Sequence, residues 1–100
     1  MNIISRRTLS AFWEKHPETR ASLESWMAAA DRYDWRSMND IIQTFSKGSP
    51  INAERCVFDI AGGNYRLIVA FKFRARLCFI KFIGTHGEYD RIDAATIDQH

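Results

Sequence analysis

The sequence is short of the residues that staple or punctuate small proteins. It has two cysteines in 100 residues, Cys56 and Cys78. Both sit in apolar, strand-like runs, where a free thiol behaves as a small hydrophobe. This argues against a disulfide framework and for a buried, reduced pair, and no closely spaced Cys/His pattern points to zinc. There are two prolines and five glycines, with no repeat, no low-complexity stretch and no linker. No apolar run approaches the length of a membrane span. The opening MNIISRRTLSAF lacks the apolar core of a signal peptide. The expectation is a soluble, cytoplasmic protein.

What is present is an ordinary globular balance, with 46% hydrophobic and 26% charged residues. At this length one domain over residues 1–100 is expected, able to bury a modest core without staples. The net charge of +2 is uninformative, but its distribution is not. Arg55, Arg66, Lys72, Arg74, Arg76 and Lys81 face Asp59 alone, and are followed by Glu88, Asp90, Asp93 and Asp98 against Arg91. A basic block thus precedes an acidic tail. Such a block reads either as a solvated charged face or as a surface for a polyanion such as nucleic acid.

The first half has helical periodicity. Leu9, Phe12 and Trp13 predict a helix over residues 8–16, after a short strand in MNII. Leu23, Trp26, Met27 and Ala30 predict another over residues 17–32, with its apolar stripe in the core. Pro17 suits a first helical turn. SMNDIIQTF reads as a third helix, with Ser37 and Asp40 spaced as a capping box, and SKGSPINAE as loop. Trp13, Trp26 and Trp35 belong with the helical core, His16 with a helix end, and His100 with a disordered terminus. The second half changes period. RCVFDI, NYRLIVAFKF and RLCFIKFIG are rich in β-branched and aromatic residues, as strands are. Gly62-Gly63 predicts one hairpin turn and Arg74-Ala75 the next. Helices followed by a strand meander make an α+β fold, with N-terminal helices packed on one face of a mainly antiparallel sheet.

Strand parity sorts the charges. Tyr65, Leu67, Val69, Phe71 and Phe73 share the core face, while Arg66, Ile68, Ala70, Lys72 and Arg74 share the other. A turn at Arg74-Ala75 sets Ile68 opposite Lys81, sends Cys78, Ile80 and Phe82 to the core, and leaves Leu77, Phe79, Lys81 and Ile83 outside. A turn at Gly62-Gly63 sets Asp59 opposite Arg66 and faces Phe58 inward. A one-residue slip would reverse any of these faces. Arg66 is thus a salt-bridge partner or a phosphate ligand, and Lys81 a snorkelling edge lysine or a phosphate ligand.

VFDIAGGNYRLIVAF, followed by CFIKFIGTHGEYDRID, resembles the HigB toxins of bacterial type II toxin–antitoxin systems, within the RelE-like group of mRNA interferases. The likeness is most specific over residues 57–71 and 78–93, with Gly87 in THGEYD a mild departure. It implies a curved antiparallel sheet with helices on one side, and endoribonuclease activity on ribosome-bound mRNA without metal or organic cofactor. It also implies neutralisation by a HigA-type helix-turn-helix antitoxin, through which the pair would bind operator DNA.

Metal-free RNA cleavage uses the substrate's own 2′-hydroxyl as nucleophile. It needs a proton acceptor, charge stabilisation at phosphorus and a proton for the 5′-oxygen. By the resemblance, Arg66 corresponds to an arginine that faces the scissile phosphate, which its guanidinium fork suits. Lys81 adds positive charge, His86 carries protons, and Tyr89 stacks on a base or donates a hydrogen bond. Asp90 orients His86 or Arg91, and Lys72, Arg74, Arg76, Asp90 and Arg91 complete the expected RNA-contacting set. Glu88 reads as structural or as an antitoxin contact. On their own residues, His86 is a capping or surface group and Tyr89 a ring packed on a sheet edge. The competing function is a non-catalytic binding module using the basic face. A small-substrate hydrolase finds no nucleophile–histidine–carboxylate arrangement here.

Overall fold

The computed structural model describes residues 1–99; His100, and with it the expectation of a disordered terminal histidine, lies outside the described residues. The strands are β1 (Asn2–Ile4), β2 (Ser49–Pro50), β3 (Arg55–Ile60), β4 (Tyr65–Lys72) and β5 (Leu77–Thr85). They form one open sheet in the order β1-β5-β4-β3-β2. β1 runs parallel to β5, and every other pairing is antiparallel. The helices are α1 (Arg6–Lys15), α2 (Arg20–Arg32), α3 (Met38–Thr44) and α4 (His86–Tyr89).

The helices form where the apolar spacing predicts them, with shifted ends. α2 begins at Arg20 because Pro17–Thr19 make a tighter 3-10 turn first. A residue before proline is disfavoured in the helical region, and His16 is accordingly non-helical, at φ −131°. The Thr19 hydroxyl donates to the His16 carbonyl at 2.7 Å and closes the corner. At α3 the Ser37 hydroxyl accepts from the Asp40 N–H. The expected reciprocal bond is not made: the Asp40 carboxylate accepts instead from Arg36 N–H, at 2.9 Å. SKGSPINAE, read as loop, contains β2, a two-residue strand beside β3.

Both hairpins centre where the turn residues lie. Ile60 pairs with Tyr65 and Asp59 with Arg66 around a turn in which Gly62 and Gly63 adopt positive φ. Lys72 pairs with Leu77 around the second turn, closed by an Arg76 N–H to Phe73 carbonyl bond of 3.2 Å. The register of β4 with β5 follows expectation from Lys72 to Val69 and then shifts. Ile68 pairs with Phe82, not Lys81, because Lys81 is the extra residue of a β-bulge. A bulge inserts one residue on one strand and exchanges the faces beyond it. Ile83 therefore enters the core, and Phe82 moves to the opposite face, the reverse of what parity predicts.

The helix-covered face holds the main core. Cys56, Phe58, Leu67, Val69, Phe71, Cys78 and Ile80 meet Leu9, Leu23, Trp26, Ala30, Trp35 and Ile41. Phe58 packs against the Trp26 and Phe45 rings at 5.5 and 5.0 Å between centroids, and Trp35 against Phe71 at 5.9 Å. The Trp35 indole N–H donates to the Thr44 hydroxyl at 2.9 Å, which satisfies its one polar atom. Both cysteines are free and buried. Burial pushes the Cys56 thiol up to about 12 and that of Cys78 up to about 11, so neither is a nucleophile.

The opposite face is not the open, charged surface expected from the sequence. Val57, Ile68 and Phe82 form a second cluster there, covered by Ile51, Tyr89, Ile92, Ala94 and Ile97. The chain after α4 therefore folds back over the middle of the sheet. Burying Ile68 and Phe82 contributes roughly 1.5–3 kcal/mol each. Arg55 fastens this return, donating to the carbonyls of Ala94 and Ile97 at 3.1 and 2.8 Å.

Candidate functional site

Arg66 and His86 lie at the same end of the β4–β5 ladder. Arg66 pairs with Gly84, two residues before His86, and His86 N–H donates to the Asn64 carbonyl at 3.0 Å. The Arg66 side chain is 16% exposed, with Nε 3.2 Å from Asp59 Oδ1. Its Nη1 donates to the carbonyls of Gly63 and Tyr65. These contacts all look toward the β3–β4 hairpin. They leave Nη2 without a partner among the described residues. A guanidinium held this way is fixed in place, and its N–H donors suit a phosphate.

Gly84 keeps this end of the sheet thin. A Cβ there would lie 2.7 Å from Phe82 Cζ and 3.2 Å from Glu88 Oε1. Glycine leaves room for the Phe82 ring to lie against this position while Glu88 reaches back over the strand end.

α4 is short but doubly tied. Thr85 caps it in extended conformation, its hydroxyl accepting from Glu88 N–H at 3.1 Å, while Glu88 Oε1 accepts from Thr85 N–H at 2.9 Å. This is a full capping box. Glu88 is thus structural, one of its two expected roles. The Thr85 N–H, and then its side chain, hold the Glu88 carboxyl below the usual carboxylate range. The cap fixes His86 at the first helical position, exposed to solvent, with Nδ1 3.0 Å from Asp90 Oδ2. This contact turns Nδ1 toward α4 and leaves Nε2 on the other side of the ring. Asp90 thus orients His86, one of the two pairings expected for it. Tyr89 turns the other way. Its ring lies 6.4 Å from that of Phe82 and is part of the second cluster. Arg91 is exposed beyond it.

Lys81 lies further along β5. Its side chain is 21% exposed, with Nζ 3.4 Å from Asp98 Oδ2 and 5.5 Å from the Phe79 ring. Lys72, Arg74 and Arg76 cluster around the β4–β5 turn, at the opposite end of β5 from His86, roughly 25 Å away at the rise of a strand. Lys72 is 3.6 Å from Glu54 and Arg76 is 3.5 Å from Asp34, while Arg74 is exposed. The nine candidate residues therefore divide. His86 and Asp90 are paired, at the same strand end as Arg66, with Tyr89 packed on Phe82 and Arg91 exposed beyond it; Lys81 stands apart with Asp98; the turn cations are remote.

A second titratable group adjoins the site on the helix side. The Tyr65 hydroxyl donates to Glu18 at 2.7 Å and lies 3.4 Å from His16 Nδ1. The tyrosine donor holds the Glu18 carboxyl below its usual range, and the carboxylate raises the Tyr65 phenol in turn. Tyr65 pairs with Thr85, so this bond braces the strand end from which α4 starts. Sequence reasoning places Tyr65 in the core and His16 at a helix end, but has no signal for a bond spanning 47 residues. Arg55 and Asp98 likewise enter it as charge without a role. Among the described residues, no three His, Cys, Asp or Glu side chains converge as a metal site requires.

An open, mostly antiparallel five-stranded sheet with helices on one face is an α+β fold consistent with the RelE-like toxins. Residues 19–92 match the HigB toxin family, described as a RelE-like toxic component of a toxin-antitoxin system, and the chain belongs to that family. It is therefore the toxin of such a system, and the family implies an antitoxin partner. A search among curated proteins found no match. The matched stretch includes all nine candidate residues and ends at Ile92, within the segment that returns over the sheet. No helix among the described residues is long and apolar enough to cross a membrane.

Proposed function

We propose that this toxin is a metal-independent endoribonuclease that cleaves mRNA on the translating ribosome in the cytoplasm, and that a HigA-type helix-turn-helix antitoxin neutralises it. The antitoxin would carry the pair to operator DNA. The observation that carries the reading is a guanidinium, that of Arg66, fixed by Asp59 and the Gly63 carbonyl at the strand end where His86, paired with Asp90, is capped in place.

In this reading Arg66 holds a non-bridging oxygen of the scissile phosphate. His86 Nε2 takes the proton of the substrate 2′-hydroxyl as the O2′–P bond forms. The P–O5′ bond breaks, and the 5′-oxygen leaves with a proton from a second donor. Tyr89 is a supporting group, shaping the floor beneath His86 and offering its ring edge to a base. Lys81 adds positive potential along the RNA path. Lys72, Arg74, Arg76 and Arg91 serve as peripheral backbone contacts, whose contribution falls with salt. A well-placed proton carrier supplies roughly 10²–10⁴-fold and a preorganised phosphate ligand about 10²–10³-fold.

The test is induced expression in bacteria with and without the antitoxin. Growth arrest and loss of mRNA are expected without it, and growth with it. Arg66→Ala and His86→Ala should relieve arrest while remaining soluble and folded. Unimpaired growth in cells shown to contain folded toxin contradicts the reading. One observation favours a second reading: Arg66 and Lys81 already have carboxylate partners in Asp59 and Asp98. A binding module without catalysis would show salt-sensitive RNA binding and intact RNA.

A further inference from the structure

The acidic end of the chain lies against its own cationic strand. Asp98 pairs with Lys81 at 3.4 Å. Gln99 N–H donates to the Lys81 carbonyl at 2.9 Å, and Gln99 Oε1 accepts from Ile83 N–H at 3.0 Å. These bonds run along the part of β5 that extends past its pairing with β1, which ends at Phe79. Just upstream, Arg55 grips the Ala94 and Ile97 carbonyls, and Ile97 seats in the second cluster. The segment is thus anchored by Arg55 and Ile97 upstream and by Gln99 along β5, with the Asp98 carboxylate set between them at Lys81.

Lys81 is mostly enclosed, with the Phe79 ring near its ammonium, so Asp98 takes up its polar approach. A carboxylate there presents a lysine with what an RNA phosphate would present, an anionic oxygen at hydrogen-bond range. An ion pair whose carboxylate is about half exposed contributes little in water, whereas a polyanion gains from releasing its counterions when a lysine replaces them. The exchange therefore favours RNA once other contacts bring it near.

We propose that Asp98 is a built-in competitor for RNA at Lys81, held there by the Arg55-clamped C-terminal segment and displaced when a phosphate of the RNA backbone binds. The inference rests on the nuclease reading above. It adds that the free toxin is partly masked by its own chain, beyond the stretch that defines its family.

The experiment measures binding of a short single-stranded RNA oligonucleotide to the full chain at low salt. Four forms are compared: wild type, Asp98→Asn, Lys81→Ala and the double variant, each checked for an unchanged thermal transition. Asp98→Asn should bind roughly three- to tenfold tighter, the scale of one additional lysine–phosphate pairing. The double variant should show no such increase over Lys81→Ala. Amide exchange at Gln99 should rise when RNA saturates the wild type. Equal affinity of wild type and Asp98→Asn overturns the inference. So does the same increase in the Lys81→Ala background, or Gln99 protection undiminished in the bound state. RNA binding by no form at all also overturns this inference, while the nuclease reading stands or falls separately on cleavage of ribosome-bound mRNA by the wild type.

Discussion

Arg66 serves the fold and the proposed chemistry through different atoms. Nε and Nη1 hold the β3–β4 hairpin through Asp59 and two carbonyls, and in the proposed reaction Nη2 donates to the phosphate. Lysine lacks this fork and cannot do both. Gly84, across the ladder, is the residue whose role is purely spatial. A methyl group there meets the Phe82 ring at 2.7 Å, and that ring is itself buried against Tyr89. Overpacking of this kind costs about 1–3 kcal/mol. Gly84→Ala should therefore lower the thermal midpoint by several degrees in a scan of the purified chain. An unchanged midpoint would mean that Phe82 yields freely. At this scale the sequence is legible wherever partners follow from register. The Asp59–Arg66 pair follows from the hairpin, because a turn fixes which residues of its two strands face each other. Asp98 with Lys81 and Glu18 with Tyr65 do not, since neither pairing follows from strand or helix period.

At the scale of elements, two local devices set the site. The bulge at Lys81 brings Phe82 to the second face and Ile83 into the core. The capping box of Thr85 and Glu88 then starts a helix immediately at the strand end. Helices and strands are legible because their apolar periods are strong. The bulge is not, since one inserted residue leaves composition and hydrophobicity unchanged while reversing parity beyond it. α4 is visible only as a polar run, because four residues are too few to show a helical period. Its cap is testable. Thr85→Ala should cost about 0.5–2 kcal/mol in urea unfolding. It should also reduce cleavage more than that loss of stability explains, because His86 loses its anchor. Stability lost with cleavage unaffected would separate α4 from the chemistry.

Across the whole molecule, the acidic tail folds back onto the basic block that precedes it. The composition shows both charge runs, but only the tertiary fold brings them together. The apolar residues Ile92, Ala94 and Ile97, interleaved with the acids, are what drive the return. The fold also carries an acid sensitivity. The carboxyls of Glu18 and Glu88 are both held below their ordinary value of 4.5, the first mainly by the Tyr65 hydroxyl and the second mainly by the Thr85 N–H. A depressed folded pKa contributes stability above the unfolded value and loses it as pH falls through the folded one. The thermal midpoint should therefore decline as pH drops below about 4.5. The Glu18→Gln/Glu88→Gln double variant should show a flatter acid limb. Superimposable acid limbs would show that other carboxylates govern it.

The central claim is that Arg66 and His86 cut mRNA on the ribosome. It is tested most directly by incubating purified toxin with ribosomes programmed with a defined mRNA and mapping new 5′ ends by primer extension. The wild type should produce discrete cuts at the ribosome-bound codon. Arg66→Lys should be slower by about 10²–10³-fold and His86→Ala by roughly 10²–10⁴-fold, with both variants folded. Intact mRNA with folded wild type, or cutting by Arg66→Lys at the wild-type rate, would contradict the account.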